Sequence, residues 1–161
     1  MSRCGSGLAE VELSAAGWAY DYTSVEAPRR GQAVLRPVVP VNFSRSTDET
    51  IVALVDSGSE HTLAAHWWAD ELGIDLSASN DRMQLGIGGR SVEATFVHVE
   101  LRLHRGHNDD DFISWYTDVG FLEPWDAQFY LILGQVGFFD HFTVTMNRRL
   151  LTVKVTDVQS V

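Results

Sequence analysis

Apolar residues along most of this chain recur at every second position, the spacing that places them on one face of a β-strand. The longest such alternation runs from Val97 to Leu103, with polar residues in between, and it predicts a half-buried strand. Two other runs, Ile51 to Val55 and Phe129 to Gly134, are almost continuously apolar. Each is long enough for a buried strand and too short for a helix, so the pattern predicts an all-β protein.

One segment, His61 to Gly73, changes to the period of an α-helix, and we expect a short helix there. Thr62 suits the N-cap position, and Gly73 suits the C-terminal end. The apolar stripe of this helix consists of Leu63, Ala64, Trp67, Trp68 and Leu72. We expect the two tryptophans to pack in the core or in a dimer contact.

Two turns between extended runs predict β-hairpins. Gly88 and Gly89 separate the run from Met83 to Ile87 from the long alternation described above, and a glycine pair suits a tight hairpin turn. A polar turn with two arginines joins the alternating runs Phe142 to Met146 and Leu150 to Val155. This second pattern predicts a closing hairpin near the end of the chain.

The chain has 161 residues, which is enough for one domain with a substantial core. We interpret residues 1–31 as a flexible N-terminal extension or a short strand, because aromatic residues alternate with others at 18–22. The main domain is expected at 32–156, followed by a tail at 157–161. Within it, Ala33 to Phe43 predicts an edge strand or two short strands, because two prolines interrupt the run.

Charge and cysteine content argue against several kinds of partner. Asp plus Glu number 22 against 12 Lys plus Arg, and the formal net charge of −10 argues against binding nucleic acid or an anionic membrane. The N-terminus lacks the apolar core of a signal peptide, and the longest uncharged apolar stretch, Ala127 to Phe139, is too short to span a bilayer. Cys4 is the only cysteine, so no internal disulfide can form. We therefore expect a cytoplasmic protein that binds neither nucleic acid nor a membrane.

A carboxylate stands where the first buried strand ends. Asp56 directly follows Val55 and precedes Ser57 and Gly58. Gly58 lets the backbone take a turn that a side chain would hinder. Because a carboxylate at the end of a buried strand is costly unless it is hydrogen-bonded or used in chemistry, Asp56 is the leading candidate for a functional residue.

The segment Leu54 to Ser59 resembles the active-site loop of aspartic proteases, in which two apolar residues precede Asp, Ser or Thr, Gly and a small residue. The order of a strand, an Asp-Ser-Gly turn and a helix that ends in Glu-Leu-Gly-Ile is common in bacterial single-domain proteases of the retroviral type. The resemblance covers roughly Ala33 to Val155. The region before Ala33 has no counterpart in that family, and the segment from His104 to Gln128 is longer than a minimal retroviral-type protease needs.

Two further motifs carry the same resemblance. The run Gly86-Ile87-Gly88-Gly89 resembles the glycine-rich flap that caps the substrate in retroviral-type proteases. The apolar strand that ends in Leu133 and Gly134 resembles the second strand that passes beside their catalytic loop. The resemblance implies that backbone groups near Ile87 and Gly88 close over a bound peptide and exclude water.

The resemblance implies a single-lobe acid-protease (retropepsin-like) closed β-barrel with a short helix and a flap hairpin, completed as a homodimer. The chemistry of that family needs two facing carboxylates, whereas this chain carries a single Asp-Ser-Gly in a length about half that of a two-lobed enzyme. Asp56 would then be contributed twice across a two-fold axis. The implied function is an aspartic endopeptidase that acts on a peptide or protein substrate without a cofactor.

The resemblance also implies a role for each residue of the active-site turn. Two adjacent Asp56 carboxylates would share one proton and activate a water for attack on the scissile carbonyl. Ser57 would hold the two loops in register, and Gly58 would let its backbone approach water or substrate. Ser59 would donate a hydrogen bond to Asp56, so we expect an acidic optimum that moves upward in Ser59→Ala. Gly134 would leave room for the turn.

Two other functions stay open. The same fold could be a non-catalytic homodimeric module that binds a peptide by strand addition or serves only to dimerise. A metal-dependent hydrolase would need ligands, for which His98, His104 and His107 are the candidates. No cysteine or spaced carboxylate set completes a zinc site with them, and the aspartates at 109–111 lack the spacing of a calcium loop. We therefore expect no metal site.

Overall fold

The computed structural model describes residues 17–26, 31–46 and 49–157 of the chain. Strands dominate these residues, as the period-two pattern predicts. The strands are β1 Gly17–Asp21, β2 Thr23–Glu26, β3 Ala33–Arg36, β4 Val38–Phe43, β5 Ile51–Val55, β6 Leu63–Ala65, β7 Arg82–Ile87, β8 Arg90–His104, β9 Phe112–Leu122, β10 Leu131–Leu133, β11 Phe142–Asn147 and β12 Thr152–Asp157. Helix α1 spans His66–Glu71, and a 3₁₀ turn spans Leu76–Ala78.

Six of these strands close into a barrel in the order β4, β5, β10, β6, β9 and β8. The barrel closes because β4 pairs with β5 through residues 38–41 and with β8 through residues 41–43. β7 continues the sheet beyond β8 as the outer arm of a hairpin. The most deeply buried side chains of these strands are Val39, Val41, Ala53, Ala64, Ala65, Ala94, Leu101, Leu103, Val119, Phe121, Leu131 and Leu133. The predicted closed all-β barrel is confirmed.

A second sheet places β1 beside β12, with β11 on the other side of β12. Tyr20 of β1 links this sheet to the barrel, because its hydroxyl donates to the carbonyl of His104 at 2.7 Å. Burial raises the pKa of Tyr20 far above its usual value, so the hydroxyl keeps its proton. Asp157, which we expected to begin the tail, is the last residue of β12. Most of the predicted extension at 1–31 and of the predicted tail lies outside the described ranges, which leave out residues 1–16, 27–30, 47–48 and 158–161.

β2 and β3 form a separate two-stranded hairpin. The N–H of Val55 donates to the carbonyl of Pro37 at 2.9 Å, so the chain before Pro37 runs past the end of β5. The side-chain amide of Gln128 donates to the carbonyl of Glu26 at 2.5 Å, which ties the hairpin to the loop between β9 and β10. The run from Ala33 to Phe43 is thus two strands, one of the two alternatives predicted from its prolines.

The helix predicted for residues 61–73 is present only over its second half. α1 begins at His66, and the residues before it, Leu63–Ala65, form β6. Strand pairing overrides the helical period here, because β6 lies between β10 and β9 and all three of its side chains are buried. The predicted Thr62 N-cap is wrong, since Ala65 occupies that position without a side-chain hydrogen bond.

The end of α1 agrees with the prediction. Gly73 adopts a φ of 66°, and its N–H donates to the carbonyl of Asp70 at 3.1 Å. The N–H of Ile74 donates to the carbonyl of Ala69 at 2.8 Å, and the two bonds together form a Schellman motif. α1 has six residues, and the described part of the chain contains no helix with the length and apolar character needed to cross a membrane.

The two tryptophans of α1 have different surroundings. Trp68 is buried in the core and meets Phe43 edge to face, with ring centroids 4.8 Å apart. Trp67 is 44% exposed and meets Tyr130 edge to face at 4.9 Å. Core packing is thus confirmed for Trp68, whereas a dimer contact through Trp67 stays a prediction.

β10 determines how the chain folds at one end of the barrel. It spans Leu131–Leu133, which is shorter than the predicted run, and lies between β5, to which it is parallel, and β6, to which it is antiparallel. The chain after β5 therefore turns around the end of β10 before it enters β6. Thr62 fastens this crossing, because its buried Oγ1 accepts from the N–H of Gly134 at 3.2 Å and donates to the carbonyl of Val136 at 3.0 Å.

Thr62→Val tests this crossing, because it removes the hydroxyl and nearly keeps the side-chain volume. The buried N–H of Gly134 loses its acceptor, so we expect the free energy of unfolding to fall by about 1–3 kcal/mol in urea denaturation. Thr145→Val, at an exposed position on β11, is the matched control and should change the same quantity by less than about 0.5 kcal/mol. Equal effects of the two substitutions would contradict the role given to Thr62.

Candidate active site

Asp56 lies in a tight turn directly after β5. Its Oδ1 accepts the N–H of Gly58 at 2.9 Å, and its own N–H donates to the carbonyl of Leu133 at 3.0 Å. The N–H of Ser59 donates to the carbonyl of Asp56 at 3.1 Å. Two of these bonds fix the main chain of Asp56, and the bond from Gly58 orients its carboxylate. The side chain is only partly buried, so it can meet water and substrate.

Gly58 and Ser57 form the exposed tip of this turn. A Cβ at Gly58 would stand 3.2 Å from the Oδ1 of Asp56, tighter than an ordinary contact, which is a steric reason for glycine at this position. The carbonyl of Ser57 accepts the side-chain amide of Gln135 at 2.7 Å. Sequence reasoning missed Gln135, because its partner is a backbone carbonyl 78 residues earlier. The contact of Ser57 with a second subunit stays a prediction.

Ser59 does not make the hydrogen bond that we predicted for it. Its Oγ donates to the carbonyl of His61 at 2.7 Å. A carbonyl can only accept, so the single hydroxyl proton of Ser59 is committed to this bond and is not donated to Asp56. The hydroxyl therefore shapes the turn rather than stabilising the charged form of the carboxylate, and the predicted upward move of the optimum in Ser59→Ala loses its basis.

Gly134 lies against this turn at the end of β10. A Cβ added there would overlap the carbonyl of His61 and stand 2.8 Å from the carbonyl oxygen of Ser59. The strand and the turn can approach so closely only because residue 134 has no side chain. Leu133, the residue before it, supplies the carbonyl that receives the N–H of Asp56.

The β7–β8 hairpin stands across a cleft from this turn. Gly88 and Gly89 have φ values of 57° and 78° and form its two-residue turn, so the predicted hairpin is confirmed. Gly86, Ile87 and Gly88 line the same cavity of about 510 Å³ as Asp56 does, whereas Gly89 does not. The sequence therefore brings together the predicted catalytic turn and most of the predicted flap, although closure of a flap over substrate stays a prediction.

The cleft also contains residues that the sequence did not point to. Its apolar walls include Leu63, Leu85, Val92, Leu122, Trp125 and Ile132. Its charged residues, beyond Asp56, are Glu60, Arg90 and Asp126. Trp125 and Asp126 belong to the segment from 104 to 128 that we could not assign. No spacing rule could have found them, because only the loop between β9 and β10 carries them to the cleft.

The three histidines considered as metal ligands have other partners. The Nδ1 of His98 lies 2.8 Å from the Oδ1 of Asp118 on the outer surface. His104 is buried, with Nε2 3.0 Å from the Oδ1 of Asn42. The Nδ1 of His107 lies 2.7 Å from the hydroxyl of Thr50 on a neighbouring loop. Within residues 17–26, 31–46 and 49–157, no group of three or more His, Cys, Asp or Glu could hold a metal ion.

Comparison with known proteins finds one family and similar solved structures. The family described as aspartyl protease matches residues 39–135. The retroviral protease-like domain of Ddi1 from Leishmania major is 16% identical with a TM-score of 0.48, and the match covers 78% of this chain and 96% of that chain. A retropepsin-like aspartic protease from Rickettsia conorii is 14% identical with a TM-score of 0.49, covering 89% and 95% respectively. No curated protein gives a significant match.

The family match spans more than half of the 161 residues. It begins in β4, contains the Asp56 turn and the β7–β8 hairpin, and ends one residue after Gly134. The segment that carries the family signature is therefore the one that builds the cleft, and the family predicted from the sequence is confirmed. This chain belongs to the aspartyl protease family.

Proposed function

We propose that this chain is an aspartic endopeptidase that works as a homodimer, with Asp56 of each copy forming the catalytic pair. One observation carries the proposal. The carboxylate of Asp56 accepts a backbone hydrogen bond from Gly58 at the wall of a cleft of about 510 Å³, opposite a glycine hairpin. A cleft of this size accommodates a few residues of an extended peptide.

The need for a second copy follows from the chemistry. A single Asp-Ser-Gly supplies one carboxylate, and peptide hydrolysis by this family uses two. Ser57 and Gly58 are exposed at the tip of the turn, where the turn of a second copy can reach them. The β2–β3 hairpin leaves the barrel beside the same turn, and a lone two-stranded hairpin is marginally stable in water, so this end of the molecule suits docking.

In the dimer, two Asp56 carboxylates would lie too close for both to be ionised, so they share one proton. The ionised member removes a proton from a water, which attacks the scissile carbonyl carbon. The protonated member donates a hydrogen bond to the carbonyl oxygen as the negative charge develops there. Transfer of a proton to the leaving nitrogen then breaks the C–N bond, without a covalent intermediate.

The hairpin side of the cleft would hold the substrate backbone. Among the described strands, only β8 pairs with residues 82–87 of β7, so the other edge of β7 offers N–H and C=O groups to an extended peptide. Gly86 and Gly88 have no side chains that would keep a peptide backbone away. Ile87 is 38% exposed between them and would cover the bound peptide from water.

Asp56→Asn is the first test. We expect the wild type to cleave peptides between about pH 3 and 8, the span of ordinary and raised carboxyl values, and the variant to lose about 10²–10⁴-fold in kcat/KM because no carboxylate accepts the proton of water. Asp110→Asn, the same change on an exposed loop, is the control and should keep full activity. Peptide capture without cleavage, equal in wild type and Asp56→Asn, would instead identify a binding module.

The dimer can be tested by varying the enzyme concentration. If the catalytic pair is built from two copies, specific activity rises with concentration and levels off when dimers predominate. Analytical ultracentrifugation on the same samples gives the dimer fraction, and the two curves should coincide. Constant specific activity across a range in which the dimer dissociates would exclude the shared pair.

Ser59→Ala tests the assignment of the Ser59 hydroxyl. Its only donor bond is to the carbonyl of His61, so we expect the pH–rate profile to keep its position and the free energy of unfolding to fall by about 1 kcal/mol. The profile and a urea denaturation curve are measured on the same preparation. An optimum that moves upward would mean that the hydroxyl serves Asp56 in the assembled enzyme.

A further inference from the structure

Carboxylates outnumber cationic side chains in the Asp56 cleft. Beyond Asp56 itself, Glu60 lies on the active-site turn and Asp126 on the loop between β9 and β10. Both are exposed, and within the described ranges neither takes part in an ion pair. The one lysine or arginine among the described lining residues is Arg90, at the tip of the hairpin. Two carboxylates are therefore available to a cationic group that enters the cleft.

The cavity that these two carboxylates line also has an apolar surface. Leu63 and Leu122, which line it, are largely buried in one cluster, and Trp125 packs against that cluster. The indole N–H of Trp125 donates to the carbonyl of Phe129 at 2.8 Å, which fixes the ring and leaves its apolar surface to the cavity. A large apolar side chain of a substrate fits this surface. Its neighbours along the peptide then come near Glu60 and Asp126, where exclusion of water by the substrate strengthens an ion pair.

We infer that this enzyme prefers peptides in which lysine or arginine stands close to the large apolar residue at the scissile bond, with Glu60 and Asp126 as the specificity-determining residues. The inference rests on the proposed function. The two-fold axis of the dimer repeats both carboxylates, so the preference applies on both sides of the scissile bond. The net charge of −10 adds long-range attraction of cationic peptides.

Arg90 gives a reason to consider the opposite preference, for an acidic residue beside the large apolar residue of the substrate. Arg90 stands directly across the hairpin turn from Ile87, so it would meet a peptide from the hairpin side. If Arg90 dominated, glutamate beside the apolar residue would improve a substrate, whereas Glu60 and Asp126 make lysine the better residue. Peptides that differ only in lysine, glutamine or glutamate at one position separate these two outcomes.

The experiment measures kcat/KM for such peptide triplets, with the variable residue moved in turn through the positions on each side of the scissile bond. At one or more positions on each side, we expect kcat/KM to be highest with lysine, lower with glutamine and lowest with glutamate. Each replacement should lower kcat/KM by about two- to fivefold, the range of a partly exposed ion pair. In Glu60→Gln and Asp126→Asn, the ratio of kcat/KM for the lysine peptide to that for the glutamine peptide should fall toward one at the substrate position that contacts the replaced carboxylate. Raising the salt concentration should reduce the wild-type ratio as well.

Glu71→Gln is the matched control, because Glu71 is exposed at the end of α1 and does not line the cleft. It removes one negative charge from the molecule, so a ratio that stays at the wild-type value assigns the effect to the cleft rather than to net charge. A ratio of one in the wild type at every position, or a preference for glutamate, would overturn the inference.

The inference and the proposed function can fail separately. If the wild type cleaves the peptides without regard to charge, the endopeptidase stands and the charge preference is wrong. If it cleaves none of them, the endopeptidase is wrong, and the affinity of the same three peptides for the dimer, measured by fluorescence anisotropy, still decides the charge preference. Equal dissociation constants for the lysine and glutamate peptides would then show that the inferred charge preference is wrong.

Discussion

The parallel pairing of β10 with β5 is the contact on which the candidate active site depends. The pairing ends at Leu133 and Val55, and the next backbone bond, from the N–H of Asp56 to the carbonyl of Leu133, continues it by one residue. The residue that carries the carboxylate therefore makes the last backbone hydrogen bond between β5 and β10. Because active-site geometry must be held to within about 0.5 Å, a rigid strand end is a better support than a free loop.

Two residues, Gly134 and Thr62, allow the chain after β5 to pass closely around the end of β10. Gly134 has no side chain, so the turn that carries Asp56 can lie against the end of β10. Thr62 sits on the other side of the crossing and uses its hydroxyl both as an acceptor and as a donor, which leaves no buried polar group there unpaired. A side chain at 134 would push the turn outward, and loss of the Thr62 hydroxyl would loosen the crossing, so both residues help to fix the position of the turn that carries Asp56.

The strands and the hairpin turn were predictable from the sequence because their signals are local, whereas the closed barrel was predicted only through the resemblance to retroviral-type proteases. Alternation over 97–103 reflects the pleat of a single strand, and Gly88 with Gly89 reflects the positive φ values that a two-residue hairpin turn requires. β6 was not predictable, since three buried residues next to a helix share its apolar period and only pairing with β9 and β10 makes them a strand. The bond of Ser59 to the carbonyl of His61 was missed because it depends on the path of the turn, not on residue type.

The residues that line the cleft show that contacts set by the tertiary fold, over long sequence separations, could not be predicted from local patterns either. Trp125 and Asp126 reach the cavity through a loop that starts at the end of β9, and Trp125 is fixed there by a bond to the backbone of Phe129. Neither residue belongs to a periodic pattern. Their place near Asp56 is decided by closure of the barrel, which brings the end of β9 beside β6.

Electrostatics couples the assembly of the proposed dimer to protonation. Two unit charges 4 Å apart at an effective dielectric constant of about 20 repel by about 4 kcal/mol, which is a large fraction of the free energy of a weak dimer. One shared proton removes this repulsion and replaces it with a hydrogen bond. In the proposed dimer, association of two ionised Asp56 turns would take up a proton, so the proposed dimer would be tighter in acid and would weaken as the pH rises. At low enzyme concentration the fall of activity toward neutral pH would then report dissociation as well as loss of the catalytic proton, and only at saturating concentration would it report the chemistry alone.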